Sequence, residues 1–251
     1  MSLVFPDDDP IVFDIGTGLR FFGDSQPQDG SFRGTALVSH LHWDHIQGLP
    51  FFVPVLRPGA EFTLFGPGQD GGKSMGEAFD FFMRDPYFPV TVAQLPSDIR
   101  FVDAEPGTFM VGKAEVLTRH IPHVGRTLGY RVTRNGASIA YLSDHQQPYD
   151  GSFGITDSAL ELIDGADLVI HDAQYTAEEF ALKATWGHCT VEYAMRVAKE
   201  AGAKRLALFH HDPSRDDDAL DETARCATAF GEKHGIEILT AYEGLTLELG
   251  T

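Results

Sequence analysis

The 251-residue sequence predicts a mixed α/β domain whose functional groups lie at the ends of its strands. Short apolar segments alternate with glycine-containing turns in the N-terminal half, and regular helical periodicity appears only later in the chain. Histidine and aspartate directly follow several of the apolar segments. No low-complexity linker divides the sequence, so we expect a single domain over residues 1–251.

Local signals predict three elements in the middle and C-terminal parts of the chain. Asn135-Gly136 lies between two apolar segments and predicts a β-hairpin with a two-residue turn. Residues 73–84 predict a helix that ends before Pro86, because proline cannot continue a helix. Residues 205–210 predict an apolar strand that ends in histidine.

The clearest predicted helix runs from Thr190 to Ala201. Its apolar residues have the i, i+3, i+4 and i+7 spacing of one helix face: Val191, Ala194, Met195 and Ala198. The Thr190 hydroxyl is suited to cap the first turn, and Gly202 is suited to end the helix in a left-handed conformation.

Cysteine content and hydropathy favour the cytoplasm. The two cysteines, Cys189 and Cys226, are too few for a disulfide framework, and nothing requires them to pair. No apolar run approaches the ~18 residues of a membrane span, and the N-terminus has no basic segment followed by an apolar one. We therefore expect a cytoplasmic protein without a membrane partner.

The formal net charge of −18 argues against a surface that binds long nucleic acid, because such surfaces normally have a basic face. The acidic runs at residues 7–9 and 216–218 are predicted to be solvated loops and a helix start. A small anionic substrate remains compatible with this charge, because bound metal ions dominate the field of a local site.

Residues 40–45, His-Leu-His-Trp-Asp-His, carry the strongest functional signal in the chain. They directly follow the strand-like segment 35–39, and the turn after a strand allows side chains to converge on one point. Imidazole nitrogen and carboxylate oxygen are the ligands that zinc accepts when no thiolate is offered. This cluster of three imidazoles and one carboxylate therefore predicts a divalent metal site.

The spacing His40-x-His42-x-Asp44-His45 resembles the signature of the metallo-β-lactamase superfamily. Similar segments follow in the family's order over nearly the whole chain: Phe-Asp-Ile-Gly-Thr-Gly at 13–18, Leu-Gly-Tyr-Arg at 128–131, Tyr-Leu-Ser-Asp-His at 141–145, Val-Ile-His-Asp-Ala at 169–173, Gly-His-Cys-Thr at 187–190 and Leu-Phe-His-His-Asp-Pro at 208–213. Together they are most similar to the branch that contains ribonuclease Z and cyclic phosphodiesterases. The order of so many motifs is more specific than any single motif.

The resemblance implies an α/β fold of the αβ/βα four-layer sandwich type, with two facing sheets, outer helices and metals in the cleft between the sheets. Family members commonly have another strand or two before the strand that ends at Asp14, and this sequence leaves almost nothing there. Since an uncovered sheet edge presents unpaired backbone groups, we expect a partner to cover it. A twofold homodimer is the commonest solution.

The resemblance also implies the ligands of two divalent metal ions, with zinc expected and manganese or iron as alternatives. The implied ligands are His40, His42 and His123 for the first ion, Asp44, His45 and His210 for the second, and Asp144 as the bridge between them.

Two of these positions have a competing neighbour. His120 competes with His123, and the family's spacing of seven residues before a tyrosine favours His123. His211 competes with His210, and the end of the strand favours His210. The roles of His145 and His171 are left open, although both are close in sequence to motif residues.

The catalytic residues implied by the resemblance are Asp44, His188 and Asp172. His188 matches the histidine that gives a proton to the leaving alcohol, and Asp172 matches the acidic residue that orients it and favours its protonated form. Asp14 is expected to orient the histidine loop and not to bind metal. Gly16 and Gly18 permit the tight turn beside it.

These residues imply a dinuclear metal-dependent hydrolase, and most directly a phosphodiesterase that attacks a small or cyclic phosphodiester with a metal-bridging hydroxide. Hydrolysis of an ester, thioester, lactone or lactam in a similar site is the alternative. Transfer-RNA 3′ processing fits the acidic composition less well. The remaining hypothesis is a metal-binding or redox protein without hydrolytic activity.

Overall fold

Two β-sheets organise residues 1–250, the part of the chain that this computed structural model describes. The five-stranded sheet belongs to a first unit, Met1–Glu105 with Val111–Lys113. The seven-stranded sheet belongs to a second unit, Pro106–Met110 with the chain from Ala114 onward. The single domain over residues 1–251 stays a prediction.

The first unit has parallel strands with one antiparallel strand added at the edge. The strands, in sheet order, are β1 (Ser2–Phe5), β2 (Asp8–Phe13), β3 (Arg33–Leu37), β4 (Glu61–Gly66) and β5 (Asp98–Asp103), and the helices are α1 (Leu19–Asp24), α2 (Trp43–Ile46) and α3 (Met75–Phe82). Only the β1–β2 pair is antiparallel among the strand pairs of this sheet. Short 3₁₀ turns at Leu49–Phe51, Val53–Leu56, Asp70–Gly72 and Val92–Gln94 connect these elements.

The strand β1 corrects the expectation that almost nothing precedes the Asp14 strand. Ser2 pairs with Val12 and Leu3 pairs with Ile11, so four residues and a tight turn are enough to cover the edge of β2. The acidic run at 7–9 is also corrected, since its last two residues lie in β2 and not in a loop. The structural reason for a dimer is therefore weaker, and the homodimer stays a prediction.

Aromatic packing holds the core of the first unit together. The ring of Phe52 lies 5.1 Å from that of Phe32 and 5.4 Å from that of Phe62, and all three side chains are fully buried. The predicted helix at 73–84 is confirmed as α3, which begins after Ser74 because its side chain and that of Glu77 form a reciprocal capping box.

The second unit combines an antiparallel meander with a parallel sheet. Its strands are β6 (Gly107–Val111), β7 (Ala114–His120), β8 (Leu128–Arg134), β9 (Ala137–Leu142), β10 (Leu168–Asp172), β11 (Arg205–Phe209) and β12 (Glu237–Thr240), adjacent in that order. Its helices are α4 (Asp157–Ile163), α5 (Ala177–Lys183), α6 (Val191–Glu200) and α7 (Asp217–His234). The pairs β7–β8 and β8–β9 are antiparallel, and the strands from β9 to β12 are parallel.

Several predictions for the second unit are confirmed. Asn135 and Gly136 have φ values of 51° and 82° and join β8 to β9 as a two-residue hairpin turn. Thr190 caps α6 by accepting a hydrogen bond from the backbone N–H of Tyr193, and Gly202 follows the helix with φ 64°. The acidic run at 216–218 starts α7.

Cys189 is buried, Cys226 is exposed, and neither forms a disulfide. Within residues 1–250, none of the helices has the length and apolar character that crossing a bilayer requires.

Parallel pairing places the chemistry-bearing residues of each unit at one sheet edge. In the first unit, Phe13 pairs with Leu37, so Asp14 and the loop after Leu37 leave the sheet together. In the second unit, β9, β10 and β11 are adjacent and parallel, and Asp144, Asp172 and His210 occur at or just after their carboxyl ends. Each unit therefore collects its candidate residues at the carboxyl ends of neighbouring strands.

The hairpin turn gives a test of this part of the fold. Gly136→Ala places a side chain at φ 82°, where L-residues are strained, and should lower the free energy of unfolding by about 1–2 kcal/mol. Gly18→Ala is the control, because φ there is −62° and an added Cβ meets no atom within 4 Å. Urea denaturation measures both; an equal effect of the two substitutions would contradict the assigned turn.

Candidate metal centre

One buried carboxylate organises the histidine loop of the first unit. Asp14 follows β2 with φ 55° and is 7% exposed. Its two oxygens accept hydrogen bonds from the backbone N–H of Ser39 at 2.6 Å, from the Ser39 hydroxyl at 2.9 Å and from His45 Nδ1 at 2.8 Å. Burial alone raises the pKa of Asp14, but the nearby His45 and these hydrogen bonds bring the pKa below its ordinary value. Asp14 is therefore an ionised acceptor.

This carboxylate determines the tautomers of two histidines. Since ionised Asp14 can only accept, His45 Nδ1 carries the proton and the lone pair lies on Nε2. The Ser39 hydroxyl donates to Asp14, so it accepts from His40 Nδ1 at 3.0 Å, and the lone pair of His40 also lies on Nε2. The expected orienting role of Asp14 agrees with this geometry.

The candidate ligands of the first unit lie close together. The ring centroid of His40 is 4.3 Å from that of His42 and 4.2 Å from that of His45. Asp44 Oδ2 is 3.2 Å from His45 Nε2, and the Asp44 side chain is 58% exposed. His40 and His45 are buried, whereas His42 and Asp44 are exposed. Three imidazoles and one carboxylate thus form a partly open cluster.

Glycine is required where the two loops of this cluster meet. A Cβ on Gly16 would lie 2.1 Å from the backbone oxygen of Asp44, and one on Gly48 would lie 1.9 Å from the oxygen of Gly16. A Cβ on Gly18 would meet no atom within 4 Å. The need for Gly16 therefore comes from close backbone approach, which the expectation of a tight turn did not identify.

In the second unit, ligand atoms of Asp144, Asp172, His188 and His210 lie within 4.8 Å of one another. Asp144 is 1% exposed; its Oδ1 is 3.4 Å from His210 Nε2, and its Oδ2 is 3.6 Å from His123 Nε2. His210 has φ 57°, a conformation that non-glycine residues rarely adopt and that occurs at functional sites. Asp144 is therefore central to this cluster.

The contacts of His123 and His120, which compete for one ligand position, are different. His123 Nδ1 donates to the backbone oxygen of Gly187 at 2.7 Å, so its Nε2 carries the lone pair toward Asp144. His120 lies in β7, with Nδ1 3.4 Å from the oxygen of Thr127. Gly187 must be glycine, because it has φ 101° and a Cβ there would lie 2.4 Å from His123 Nδ1.

The adjacent residues His210 and His211 also differ in their contacts. His211 Nε2 donates to the backbone oxygen of Ala241 at 3.2 Å, and His210 Nε2 faces Asp144. The side-chain amide of Gln174 is 3.1 Å from His210 Nδ1, a contact that the sequence analysis missed. Gln174 belongs to none of the motifs. The feature of the sequence that could have pointed to it is its position two residues after the end of β10.

His188 and Asp172 form a tightly held pair. Asp172 is fully buried, and its Oδ2 accepts from His188 Nδ1 at 2.7 Å. Its Oδ1 accepts from the backbone N–H groups of Gln174 at 3.0 Å and Cys189 at 3.2 Å. The His188 ring stacks on that of His210 with centroids 5.1 Å apart. Both Asp172 oxygens are therefore engaged by protein donors, which suits an orienting role better than metal ligation.

His145 and His171 belong to the core of the second unit. Both are fully buried; His171 Nδ1 donates to the Asp172 backbone oxygen at 2.7 Å, and His145 Nδ1 donates to His171 Nε2 at 2.8 Å. Burial lowers the pKa of His145 well below its ordinary value, with His171 adding to the effect, and burial also lowers the pKa of His171. The two imidazoles are neutral and support the strand end that carries Asp172.

The donor set fits a divalent metal. His40, His45 and His123 each use Nδ1 in a hydrogen bond to protein and keep the Nε2 lone pair for a ligand bond. This is the arrangement that metal-ligating histidines have, and carboxylates accompany it in both units. The assignment of individual ligands to individual ions stays a prediction.

Residues 12–211 match the family described as the beta-lactamase superfamily domain. An uncharacterised protein of Mycobacterium tuberculosis is 31% identical over 222 residues, which cover 84% of this chain and 74% of that protein. This chain belongs to the metallo-β-lactamase superfamily. Ribonuclease Z of Limosilactobacillus fermentum is 30% identical over 227 residues, which cover 69% of this chain and 68% of that enzyme.

Solved structures of the metallo-β-lactamase fold match almost the whole chain. YhfI of Bacillus subtilis matches with a TM-score of 0.72 at 20% identity, covering 97% of this chain and 89% of that one. A diphosphatase of the PhnP family matches with a TM-score of 0.69 at 19% identity, covering 99% and 83%. The predicted fold class, the αβ/βα sandwich of the metallo-β-lactamase type, is confirmed. As a superfamily member, the chain is a metal-dependent hydrolase.

Metal retention tests the position of Asp144. Asp144→Ala should strongly lower the metal content of the purified protein, because Asp144 contacts candidate ligands on both of its oxygens. His211→Ala should retain the metal, since His211 Nε2 is engaged by the Ala241 carbonyl. Elemental analysis after dialysis measures both variants; equal loss would show that the wrong histidine or the wrong carboxylate has been assigned.

Proposed function

We propose that this chain binds two divalent metal ions, with zinc as the expected metal. The proposed ligands are His40, His42, Asp44, His45, His123, Asp144 and His210. Two such ions, when bound, provide a nucleophile at neutral pH and stabilise negative charge on the substrate. Support comes from the imidazole-rich donor set and from the Nδ1 hydrogen bonds that leave Nε2 for ligation.

We propose further that the enzyme is a phosphodiesterase acting on a small, anionic phosphodiester. The observation that carries this proposal is the 2.7 Å hydrogen bond between Asp172 Oδ2 and His188 Nδ1. It orients the imidazole and leaves Nε2 as the atom that holds a proton for the departing alkoxide. An alkoxide leaving group needs this proton, whereas the thiolate that leaves a thioester needs it less.

The surroundings of His188 are suited to this role. The side chain is 12% exposed, so one edge of the ring remains accessible while Asp172 is buried beneath it. Tyr175 lies edge-on to the ring at 5.6 Å, and His210 stacks against its face. These contacts restrict rotation of the imidazole and keep its Nε2 proton directed to one place.

Transfer-RNA 3′ processing is the second candidate, because ribonuclease Z of Limosilactobacillus fermentum is 30% identical to this chain. The net charge of −18 disfavours it, since a long RNA is bound through displaced phosphate counterions. Nanomolar binding of precursor transfer RNA at physiological salt would favour this candidate over a small phosphodiester.

Hydrolysis of bis(p-nitrophenyl) phosphate tests the proposed function. The metal-loaded protein should cleave it, a chelator should abolish the activity, and added zinc or manganese should restore it. Elemental analysis should show close to two metal ions per chain. Absence of cleavage with any restored metal, or a content no higher than one ion after reconstitution, would refute the dinuclear phosphodiesterase.

The role of His188 predicts a dependence on the leaving group. His188→Asn should lower kcat by about 10²–10⁴-fold on diesters that release an alkyl alcohol, and much less on those that release p-nitrophenolate. Asp172→Asn should show the same dependence in weaker form, and His234→Asn, in the last turn of α7, is the control that should behave as wild type. A loss that is equal for all leaving groups would exclude proton donation by His188.

A further inference from the structure

The backbone oxygen of Asp172, at the end of β10, is held by two side chains. His171 Nδ1 donates to it at 2.7 Å, and the thiol of Cys189 donates to it at 3.1 Å. Both donating side chains are fully buried. One donor belongs to the same strand as Asp172, and the other belongs to the loop that carries His188. Two segments of the chain therefore meet at a single peptide carbonyl.

Cys189, the residue after His188, is bound to the turn after β10 by all of its polar groups. Its backbone N–H donates to Asp172 Oδ1 at 3.2 Å, and its backbone oxygen accepts from the N–H of Tyr175 at 3.0 Å. The thiol completes the set at the Asp172 carbonyl. Asp172 thus holds Cys189 from both its carboxylate and its backbone, while Oδ2 accepts from His188 Nδ1 at 2.7 Å.

The Cys189 thiol remains a hydrogen-bond donor at neutral pH. Burial raises the pKa of the thiol well above its ordinary value, and the negative charge of Asp172 raises it further. Because the thiolate is the form that attacks substrates and binds metals, a buried thiol that stays protonated is chemically inert. What Cys189 contributes is therefore a hydrogen bond and its packing.

The two partners of this contact have supports of their own. His145 Nδ1 donates to His171 Nε2 at 2.8 Å, which leaves the proton of His171 on Nδ1, facing the Asp172 carbonyl. On the other side, Gln146 Nε2 donates to the backbone oxygen of His188 at 3.1 Å. The strand end and the His188 loop are each fixed, and the Asp172 peptide is the group that joins them.

We propose that His171 and Cys189 are positioning residues of the proton donor: they hold the Asp172 carbonyl, and this orients the carboxylate that holds His188. The proposal rests on the proposed role of His188 in phosphodiester hydrolysis and extends it to the residues behind that imidazole. Rotation of the peptide between residues 172 and 173 would move the Asp172 carboxylate. Loss of a donor should therefore loosen the His188 ring without removing any of the proposed metal ligands.

Substitution of Cys189 tests the thiol. Cys189→Ala should lower kcat about fivefold or more on diesters that release an alkyl alcohol, because the Asp172 carbonyl loses one hydrogen bond and proton donation suffers. KM, and kcat for the release of p-nitrophenolate, should stay as in wild type. Cys189→Ser should retain most of the activity, since a hydroxyl also donates.

The second cysteine provides the matched control for this test. Cys226 is exposed, and its Sγ lies 3.6 Å from Glu222 Oε1 in the same helix, so Cys226→Ala should behave as wild type. Wild-type kcat of Cys189→Ala on alkyl-releasing diesters would overturn the proposal. An equal loss for both kinds of leaving group, or a serine variant as impaired as the alanine variant, would overturn it as well.

Substitution of His171 tests the second donor. The amide nitrogen of an asparagine can donate from the place of Nδ1, whereas leucine has no donor. His171→Leu should therefore lose more kcat on alkyl-releasing diesters than His171→Asn, with circular dichroism and metal content showing that both are folded. A folded leucine variant that loses activity equally for all leaving groups, or an asparagine variant with the same loss as leucine, would contradict the role of His171.

Exchange of the His188 ring proton with solvent tests the orientation without catalysis. It is followed by NMR in zinc-loaded protein with isotope-labelled histidine, and the spectrum of His188→Asn assigns the Nδ1–H signal. Exchange should be about fivefold or more faster in Cys189→Ala than in wild type, and unchanged in Cys189→Ser. The Nδ1–H of His45, which is held by Asp14, is the internal reference that should not change.

The two measurements separate this inference from the proposed function. Faster exchange in Cys189→Ala without cleavage of any diester by the wild type would retain the positioning role and remove the phosphodiesterase. Cleavage by the wild type, together with unchanged exchange and unchanged kcat on alkyl-releasing diesters in Cys189→Ala, would leave the phosphodiesterase intact and remove the positioning role.

Discussion

The candidate site depends on buried carboxylates that each hold one imidazole by its Nδ1 proton. Asp14 does this for His45 at 2.8 Å in the first unit, and Asp172 does it for His188 at 2.7 Å in the second. Each carboxylate also accepts a hydrogen bond from a backbone N–H in the loop that carries its histidine: Asp14 from Ser39, and Asp172 from Cys189, the residue after His188. Burying an ionised carboxylate is costly unless all its lone pairs are satisfied, so each loop conformation is tied to its hydrogen bonds. The same hydrogen bonds leave Nε2 of both rings for chemistry.

Parallel strand pairing is what makes these contacts available. β2 and β3 end side by side, as do β9, β10 and β11, so residues that are 25 to 66 positions apart in the sequence leave the sheet at a common edge. Glycine then permits the closest approach: Gly16 lies against the Asp44 backbone, and Gly187 lies against the His123 ring. Replacing either glycine would separate the loops that the carboxylates bring together.

Much of this arrangement could be predicted from the sequence, because its signals are local or are carried by ordered motifs. The Asn135-Gly136 turn, the Thr190 cap and the strand-end histidines each depend on a few adjacent residues. β1 was missed because a four-residue strand has too little alternation to be recognised without its partner. Gln146, Gln174 and the His145–His171 hydrogen bond were not predicted because their roles arise only from contacts between distant segments.

The charged side chains near His188 indicate which groups attract an anionic substrate. Near His188, Lys183 forms an ion pair with Asp212 at 2.8 Å and lies over the Tyr175 ring, and Arg215 is paired with Glu179. The Lys183 ion pair and the hydrogen bonds from Ser214 keep the pKa of Asp212 well below its ordinary range despite its partial burial, so this pairing persists at neutral pH. These cations are thus already neutralised within a chain of net charge −18. Under the proposed function, the positive charge that a phosphodiester requires comes from the metal ions, and affinity for the anion is therefore coupled to metal occupancy.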